Sequence, residues 1–166
     1  MTMPDERTRA LRFGWEFLLE LQATAELDAA QRSNVDLILT AYPSGKEIKA
    51  WAEMQERQPD RFGVVCARLS PEPVNFYACK RECVQEMVRP PVTPSQRARA
   101  LRLALEFFQS LRSAANLPQA QKRQIPYVLR HFPHGHEIAY WAHCSAKAGA
   151  ADPGYEIWLA PEESSP

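Results

Sequence analysis

The chain has 166 residues, 45% hydrophobic and 24% charged, and its 20 basic side chains balance its 20 acidic ones when the four histidines are neutral. This composition excludes wholesale disorder, and no apolar run approaches the roughly 18 residues that a membrane span requires. A chain of this length buries roughly 70% of its unfolded surface, so its core needs neither a metal nor a disulfide. With the polar N-terminus MTMPDERTRA, these features predict a cytoplasmic protein without a membrane partner.

The first predicted element is a helix from about Asp5 to Ala25, and a similar helix follows ninety positions later, from about Ser95 to Ala115. In this later helix the apolar residues recur at three- and four-residue spacing, which is one helical stripe. Leu103 and Phe107 add a second stripe. Because a helix with two apolar faces packs between neighbours, we expect one central helix in each half of the chain.

A second helix is predicted in each half. Asp28 is a suitable N-cap for the second helix of the first half, and Pro118 suits the first turn of its counterpart. Pro43 and Pro133 end the two helices. Pro126 lies inside the later one, where it removes a backbone hydrogen bond and should kink the helix.

A third helix follows in each half, and less regular segments come after it. Ser44 and Glu47 have the spacing of a capping box at the start of this helix in the first half. Beyond the third helices, the short apolar segments 62–69 and 154–161 fit either strands or extended arms. The segment 75–88, which prolines flank, is predicted to be a connecting helix.

The two halves align without a gap. Residues 4–53 and 94–143 are identical at 20 of 50 positions, and LSPE at 69–72 still aligns with LAPE at 159–162. Chance similarity does not hold one register so long, so we predict a tandem duplication of a three-helix unit. The predicted domains are repeat unit 1 at 1–72, a linker helix at 73–93 and repeat unit 2 at 94–166. Since a unit of about 50 residues has a marginal core, we expect the copies to pack together, by a twofold or a translational relation. The predicted fold class is mainly α, with at most a small two-stranded β element.

The opening MTMPDERTRAL, followed by a leucine-rich helix and by a turn such as RHFP at 130–133, resembles a family of short uncharacterised proteobacterial proteins. Those proteins begin with nearly this segment and are about one unit long. The likeness covers the start of the first copy and, through the repeat, much of the second. No activity is attached to the family, so the resemblance implies no functional residue.

The four cysteines, Cys66, Cys79, Cys83 and Cys144, are too sparse for a secreted disulfide scaffold and are expected to be free thiols. Cys79 and Cys83 lie four residues apart on the predicted linker helix, beside other apolar residues. This spacing is more typical of a packed helix face than of a redox Cys-x-x-Cys pair.

All four histidines and one cysteine fall within fourteen residues, at His131, His134, His136, His143 and Cys144. Imidazole and thiolate are both zinc ligands, so this cluster is the candidate metal site of the chain, with Cys79 and Cys83 as possible additional ligands. Its spacing matches no standard zinc pattern, however, and the first copy has no such residues at the aligned positions. Surface histidines and one packed cysteine explain the cluster better, and we predict no metal and no cofactor.

Catalytic motifs are missing from the sequence. It contains no Gly-x-Ser-x-Gly, no phosphate-binding glycine loop and no His-Glu-x-x-His. Glu16 and Glu106 occupy aligned positions, but each lies four residues after an arginine, which is the spacing of an ordinary intrahelical ion pair. The sequence therefore predicts a protein that is not an enzyme.

Charge is divided unequally between the two halves. Residues 1–53 carry six basic and nine acidic side chains, a net charge of −3, whereas residues 93–147 carry eight basic and two acidic ones, a net charge of +6. Drift after duplication, with attraction between the halves or in a head-to-tail dimer, is one explanation. The other is a basic surface for an acidic partner. The candidate binding residues are Arg97, Arg99, Arg102, Lys122, Arg123, Arg130 and His131.

These features together predict a protein-interaction or regulatory module whose partner is another protein or a second copy of the chain. The alternative is a nucleic-acid-binding protein that uses the basic surface of the second copy. Contacts from about four to six basic side chains to phosphates would give a salt slope on the order of −4 to −5. Reversing the charge of Arg99 and Arg102, but not of the aligned Arg9 and Arg12, should then weaken binding, since the two pairs are expected to share one environment. No separate recognition helix is evident, which favours the protein partner.

Overall fold

The computed structural model describes residues 3–57, 69–71 and 90–162. The helices in these ranges are α1 (Pro4–Gln22), α2 (Ala29–Leu39), α3 (Gly45–Arg57), α4 (Pro94–Leu111), α5 (Gln119–Arg130) and α6 (Gly135–Ala151). No strand occurs in these ranges, so the prediction of a mainly α fold is confirmed for them. Segment 62–68 and most of the predicted linker helix lie outside the described residues, and the last four linker positions, 90–93, are not helical.

Capping residues set the starts of the helices, as the sequence predicts. The Asp28 carboxylate accepts a hydrogen bond from the Gln31 N–H at 2.8 Å and so caps α2. At the start of α3, the Glu47 carboxylate accepts from the Ser44 N–H at 2.8 Å, and the Ser44 hydroxyl accepts from the Glu47 N–H at 3.3 Å. Both predicted caps are confirmed, because each satisfies N–H groups that a helix leaves without a partner.

Two prolines, Pro118 and Pro126, lie at the start of α5 and inside it, respectively. Pro118 is the N-cap residue of α5 and precedes its first turn, so its placement inside that turn was wrong by one position. Pro126 lies inside α5, and the helix continues through it to Arg130. The position of Pro126 is exposed, where a lost backbone hydrogen bond leaves a carbonyl that water can reach.

The helices α1 and α4 are the central elements of the fold. The first contacts α2, α3 and α5, and the second contacts α5, α6 and α2. Each has buried residues on more than one side, which in α4 include both Phe107 and Phe108. The prediction of one central helix in each half is confirmed.

The contacts between the halves are reciprocal. The helix α1 packs on α5, while α4, which aligns with α1 in sequence, packs on α2, which aligns with α5. The Arg7 guanidinium lies 5.6 Å from the centroid of the Trp141 ring, and the aligned Arg97 lies 5.0 Å from that of Trp51. A twofold relation between like surfaces produces such reciprocal contacts, and a translation does not.

One hydrophobic core extends through both halves. The rings of Phe17 in α1 and Phe108 in α4 pack with their centroids 5.6 Å apart, and Phe108 meets Phe132 edge-on at 5.5 Å. Leu69, before the undescribed linker, and Leu159, near the end of the chain, are fully buried in the same cluster. The expectation that the two halves pack on one another is therefore confirmed.

After α6 the chain returns over the core as an arm, residues 154–161, which has no regular secondary structure, so the strand that the sequence also allows does not form there. Trp158 of the arm is fully buried, and its ring centroid lies 5.3 Å from that of Trp51 and 6.1 Å from that of Trp141. Gly149 of α6 permits the close approach of the arm, since a Cβ at this position would collide with the side chain of Ile157.

A buried polar side chain holds the returning segment in each half. The Ser145 hydroxyl accepts hydrogen bonds from the N–H groups of Trp158 and Leu159 at 3.2 and 3.4 Å. Gln55, which aligns with Ser145, accepts one from the N–H of Leu69, which aligns with Leu159, at 2.6 Å. The aligned residues Gln55 and Ser145 thus both accept hydrogen bonds from the backbone of the returning segment, although their side chains differ.

Candidate binding surface

The seven candidate binding residues do not form one surface. Arg97 is used inside the protein: its guanidinium lies on the Trp51 ring and 3.3 Å from the Glu47 carboxylate, and 14% of its side chain is exposed. Since Trp51 and Glu47 both belong to α3, Arg97 joins the second half to the first. Its place is at the junction of the halves and not on an outer face.

Arg102 is held by two carboxylates. Its Nε and Nη2 atoms donate to the two oxygens of Glu162 at 2.7 and 3.0 Å, and its Nη1 donates to Glu106 at 2.8 Å. The hydrogen bonds that Arg102 donates to Glu162 and Glu106 raise the pKa of Arg102, and the one to Glu162 lowers the pKa of that carboxyl. This arginine fastens the end of the arm to α4, and its charge is balanced within the chain. The predicted intrahelical pairs are confirmed here and at Arg12–Glu16, where the atoms are 2.6 Å apart.

Lys122 and His131 also contact other parts of the chain. The Lys122 ammonium donates to the carbonyl of Ala115 at 3.1 Å, in the turn before α5. His131 Nδ1 lies 3.8 Å from a carboxylate oxygen of Glu6 in α1. The hydrogen bond from the Met3 N–H lowers the pKa of Glu6, and the nearby basic side chains act in the same direction.

The remaining candidates, Arg99, Arg123 and Arg130, are exposed. Arg123 and Arg130 lie on the outer face of α5 on either side of Tyr127, whose side chain is 70% exposed. Positions 123, 127 and 130 are four and three residues apart, so they follow one face of the helix. Neither guanidinium forms an ion pair with a carboxylate of the described ranges, although Arg130 is near enough to Glu6 that its charge helps to lower the pKa of that carboxyl. We call Arg123, Tyr127 and Arg130 the α5 patch.

Tyr127 is a member of the patch that the charge argument missed, because it carries no charge at neutral pH. A signal for it is present in the sequence. Tyr127 lies two residues after Ile125, about 200° around a helix, and Ile125 belongs to the inner stripe. The structure buries Ile125 and Val128 and exposes Tyr127 between them, in agreement with this period.

The aligned face of α2 has the same geometry and a different chemistry. Leu37 aligns with Tyr127 and is 55% exposed, so each half presents one large apolar side chain at this position. Ser33 and Thr40 align with Arg123 and Arg130, and both are exposed. The basic character of the patch therefore belongs to the second half alone.

Arg9 and Arg12 do not share the environment of Arg99 and Arg102, so the expectation that these aligned pairs are equivalent was wrong. The side chains of Arg9 and Arg12 are 22% and 19% exposed, and they pair with Asp5 and Glu16 within α1. Arg99, by contrast, is exposed.

The histidine cluster forms a pair of rings and not a ligand set. The rings of His134 and His136 stack with centroids 5.8 Å apart, and His143 is exposed farther along α6. Cys144 is a free thiol, half-buried against the core. Within the described part of the chain, no three histidine, cysteine or acidic side chains are placed to hold a metal ion. Cys66, Cys79 and Cys83 lie outside it.

No helix of the described ranges is both long and apolar enough to cross a bilayer. Comparison of the chain with family models, curated proteins and solved structures gives no match. The resemblance to short proteobacterial proteins therefore stays a prediction, and any proposal on function depends on the residues of this chain.

Proposed function

We propose that this protein is a non-enzymatic interaction module, a regulator or a subunit of an assembly, that binds another protein through the outer surface of its second half. The observation that carries the proposal is the contrast between the α5 patch and the aligned face of α2. Both faces expose one large apolar side chain, but arginines flank only Tyr127. Selection for binding on the α5 face alone would produce this result, since it would change the exposed residues of α5 and leave the aligned α2 face and the buried residues unchanged.

The framework itself is proposed to be a tandem duplication of one three-helix unit. Identical residues at aligned positions fill the core, among them Leu11 and Leu101, and Trp51 and Trp141. The reciprocal contacts between the halves support this origin, since two separate copies of one unit would associate through such contacts. Fusion of the copies then allows one surface to change without its counterpart.

Tyrosine and arginine together favour a protein partner. Both residue types are enriched at the centres of protein interfaces, because they combine a large contact area with directed hydrogen bonds. Nucleic acid is the weaker candidate, since Arg97, Arg102 and Lys122 are occupied within the chain. The three candidate arginines that remain exposed would give a salt slope on the order of −3, shallower than the slope expected from the sequence.

We also propose a cytoplasmic location and no catalytic role. The free thiol of Cys144 is compatible with a reducing compartment. The sequence lacks the motifs of common catalytic sites.

In-cell photo-crosslinking tests the proposal. A photoreactive phenylalanine analogue replaces Tyr127 in one full-length variant and Leu37 in a matched control, since the two positions are aligned and exposed. We expect one predominant adduct with another protein from position 127 and none from position 37. The proposal fails if position 127 gives no protein adduct, or if nuclease treatment removes the adduct. Equal adducts from both positions would show that the second half is not the binding side.

A further inference from the structure

We infer that the α5 patch binds an acidic protein segment, whose carboxylates pair with Arg123 and Arg130 and whose apolar side chain packs on Tyr127. The inference rests on the function proposed above and names the partner by its chemistry. Both guanidiniums are exposed, neither forms an ion pair in the described ranges, and the phenol ring between them is 70% exposed. A partner that neutralises both charges and covers the ring would satisfy all three side chains.

The spacing of the patch specifies the segment. Arg123 and Arg130 are seven residues apart on α5, a rise of about 10 Å along the helix axis. Acidic residues at positions i and i+7 of a partner helix have the same separation. In an extended strand the residues at this separation, i and i+3, point to opposite faces, so a helical segment matches the patch better. Tyr127 lies between the arginines, so the apolar residue of the partner belongs between its two carboxylates.

The helix α5 holds the patch in a fixed position. Ile125 and Val128 are buried on its inner face. Gln124 donates to both carboxylate oxygens of Glu20 in α1 at 2.9 and 3.0 Å, and Gln121 donates to one of them at 3.1 Å. Since the backbone that carries the patch is already ordered, the conformational entropy that this protein loses on binding is mainly that of three side chains.

A second copy of this chain is a poorer partner. The matching face on its first half is that of α2, where Leu37 could meet Tyr127. Asp36 is the one acidic residue of α2, and its carboxylate already accepts a hydrogen bond from Gln22 at 2.8 Å. Two arginines would therefore face at most one carboxylate, and this one is in use. An acidic segment of a different protein fits the charges better.

Binding of a defined acidic polymer tests the inference. The probe is a fluorescein-labelled random copolymer of glutamate and tyrosine in a 4:1 ratio, which contains every spacing of carboxylates and rings. Fluorescence anisotropy is measured at low salt as the full-length protein is added. Polyglutamate without tyrosine, a single-stranded oligonucleotide and a duplex serve as comparison probes. We expect the copolymer to bind more tightly than all three.

The variants come from the chain itself. Arg123→Ser with Arg130→Thr gives the α5 patch the residues of the α2 face, and we expect copolymer binding to weaken roughly tenfold, about 1.4 kcal/mol. Tyr127→Ser should weaken it severalfold, and Tyr127→Leu, the residue of the first half, should retain most of it. The control is Arg112→Gln, which removes an exposed arginine at the end of α4 in favour of the aligned residue, Gln22. It should leave binding unchanged.

The failures are distinguishable. The inference is overturned if the copolymer does not bind at low salt, or if Arg112→Gln weakens binding as much as the patch variants. Tighter oligonucleotide binding that the patch variants abolish would mean a nucleic acid. A dimer in sedimentation that they abolish would mean a second copy. If position 127 crosslinks a protein that the patch variants still capture, the proposed function stands and this inference fails.

Discussion

At the scale of single residues, the contact between the first and second helices of each half is made by different side chains. Tyr42 donates its hydroxyl to the Leu11 carbonyl at 2.9 Å, and burial raises the pKa of this hydroxyl, so it stays a neutral donor. The hydroxyl occupies the space beside Gly14, where a Cβ would collide with it. At the aligned positions the second half has Ala104 and Phe132, a larger helix residue and a ring without a hydroxyl.

This arrangement predicts the effect of Gly14→Ala. The added methyl group would meet the Tyr42 hydroxyl and would lie 2.9 Å from the Phe132 ring. Overpacking of this kind costs about 1–3 kcal/mol, and the better helix propensity of alanine offsets at most about 1 kcal/mol of it. We therefore expect a lower free energy of unfolding in urea.

A double-mutant cycle with Tyr42→Phe provides the control. Tyr42→Phe alone should cost about 1 kcal/mol, because the Leu11 carbonyl loses a buried donor. In the double variant the losses should sum to less than the two separate costs, since one of the two collisions disappears. Additive losses, or a Gly14→Ala variant as stable as the parent, would contradict this explanation.

At the scale of elements, the final arm is part of the core although it has no helical or sheet hydrogen bonds. Trp158 packs against the tryptophans of α3 and α6, and so it contacts both halves. The backbone of the arm is satisfied instead by Ser145 and by a bond from the Ala160 N–H to the Pro94 carbonyl at 3.2 Å. An extended segment can be buried only when its polar groups find such partners.

We therefore expect Ser145→Ala to loosen the arm. The substitution leaves two buried N–H groups without an acceptor, at a cost of about 1–3 kcal/mol. Proteolysis under native conditions should cut the arm sooner, and tryptophan fluorescence should shift to the red as Trp158 becomes solvated. Cys144→Ala, at the preceding, half-buried position of α6, is the matched control. If both variants are cleaved at the same rate, the serine does not hold the arm.

At the scale of the whole molecule, the two halves share one hydrophobic core. The buried cluster is continuous, and cross-half contacts include Phe17 with Phe108 and Arg97 with both Trp51 and Glu47. Neither half keeps its inner surface covered without the other. The predicted boundaries of the repeat units therefore do not separate two cores, because one core is shared between the halves.

The shared core predicts a single unfolding transition for the full chain. Helix content by circular dichroism and tryptophan fluorescence should give the same midpoint in urea. Phe108→Ala, in the second half, should lower the free energy of unfolding by about 3–5 kcal/mol as measured by either probe, because the Phe108 ring packs against residues of both halves. Two separate transitions, or a loss confined to one probe, would mean that the halves fold independently.

The sequence by itself determined the features that depend on near neighbours along the chain. The helix period located α1 and α4 as central helices, because their buried residues recur every three or four positions. The caps at Asp28 and Ser44 could be predicted because the side chain and the N–H it binds lie within one turn. The same period also agrees with the outward position of Tyr127, a residue that the charge pattern did not single out.

Only the tertiary structure decided which of the basic residues remain available to a partner. Nothing in the helical pattern of α4 distinguishes Arg97 and Arg102 from the exposed Arg99. Their carboxylate partners, Glu47 and Glu162, lie 50 and 60 positions away from them in the sequence. A helical pattern tells which face a side chain is on and not which distant carboxylate meets it there. The α5 patch is therefore identified as the candidate site only by the folded structure, in which other basic side chains contact carboxylates or carbonyls of the chain itself.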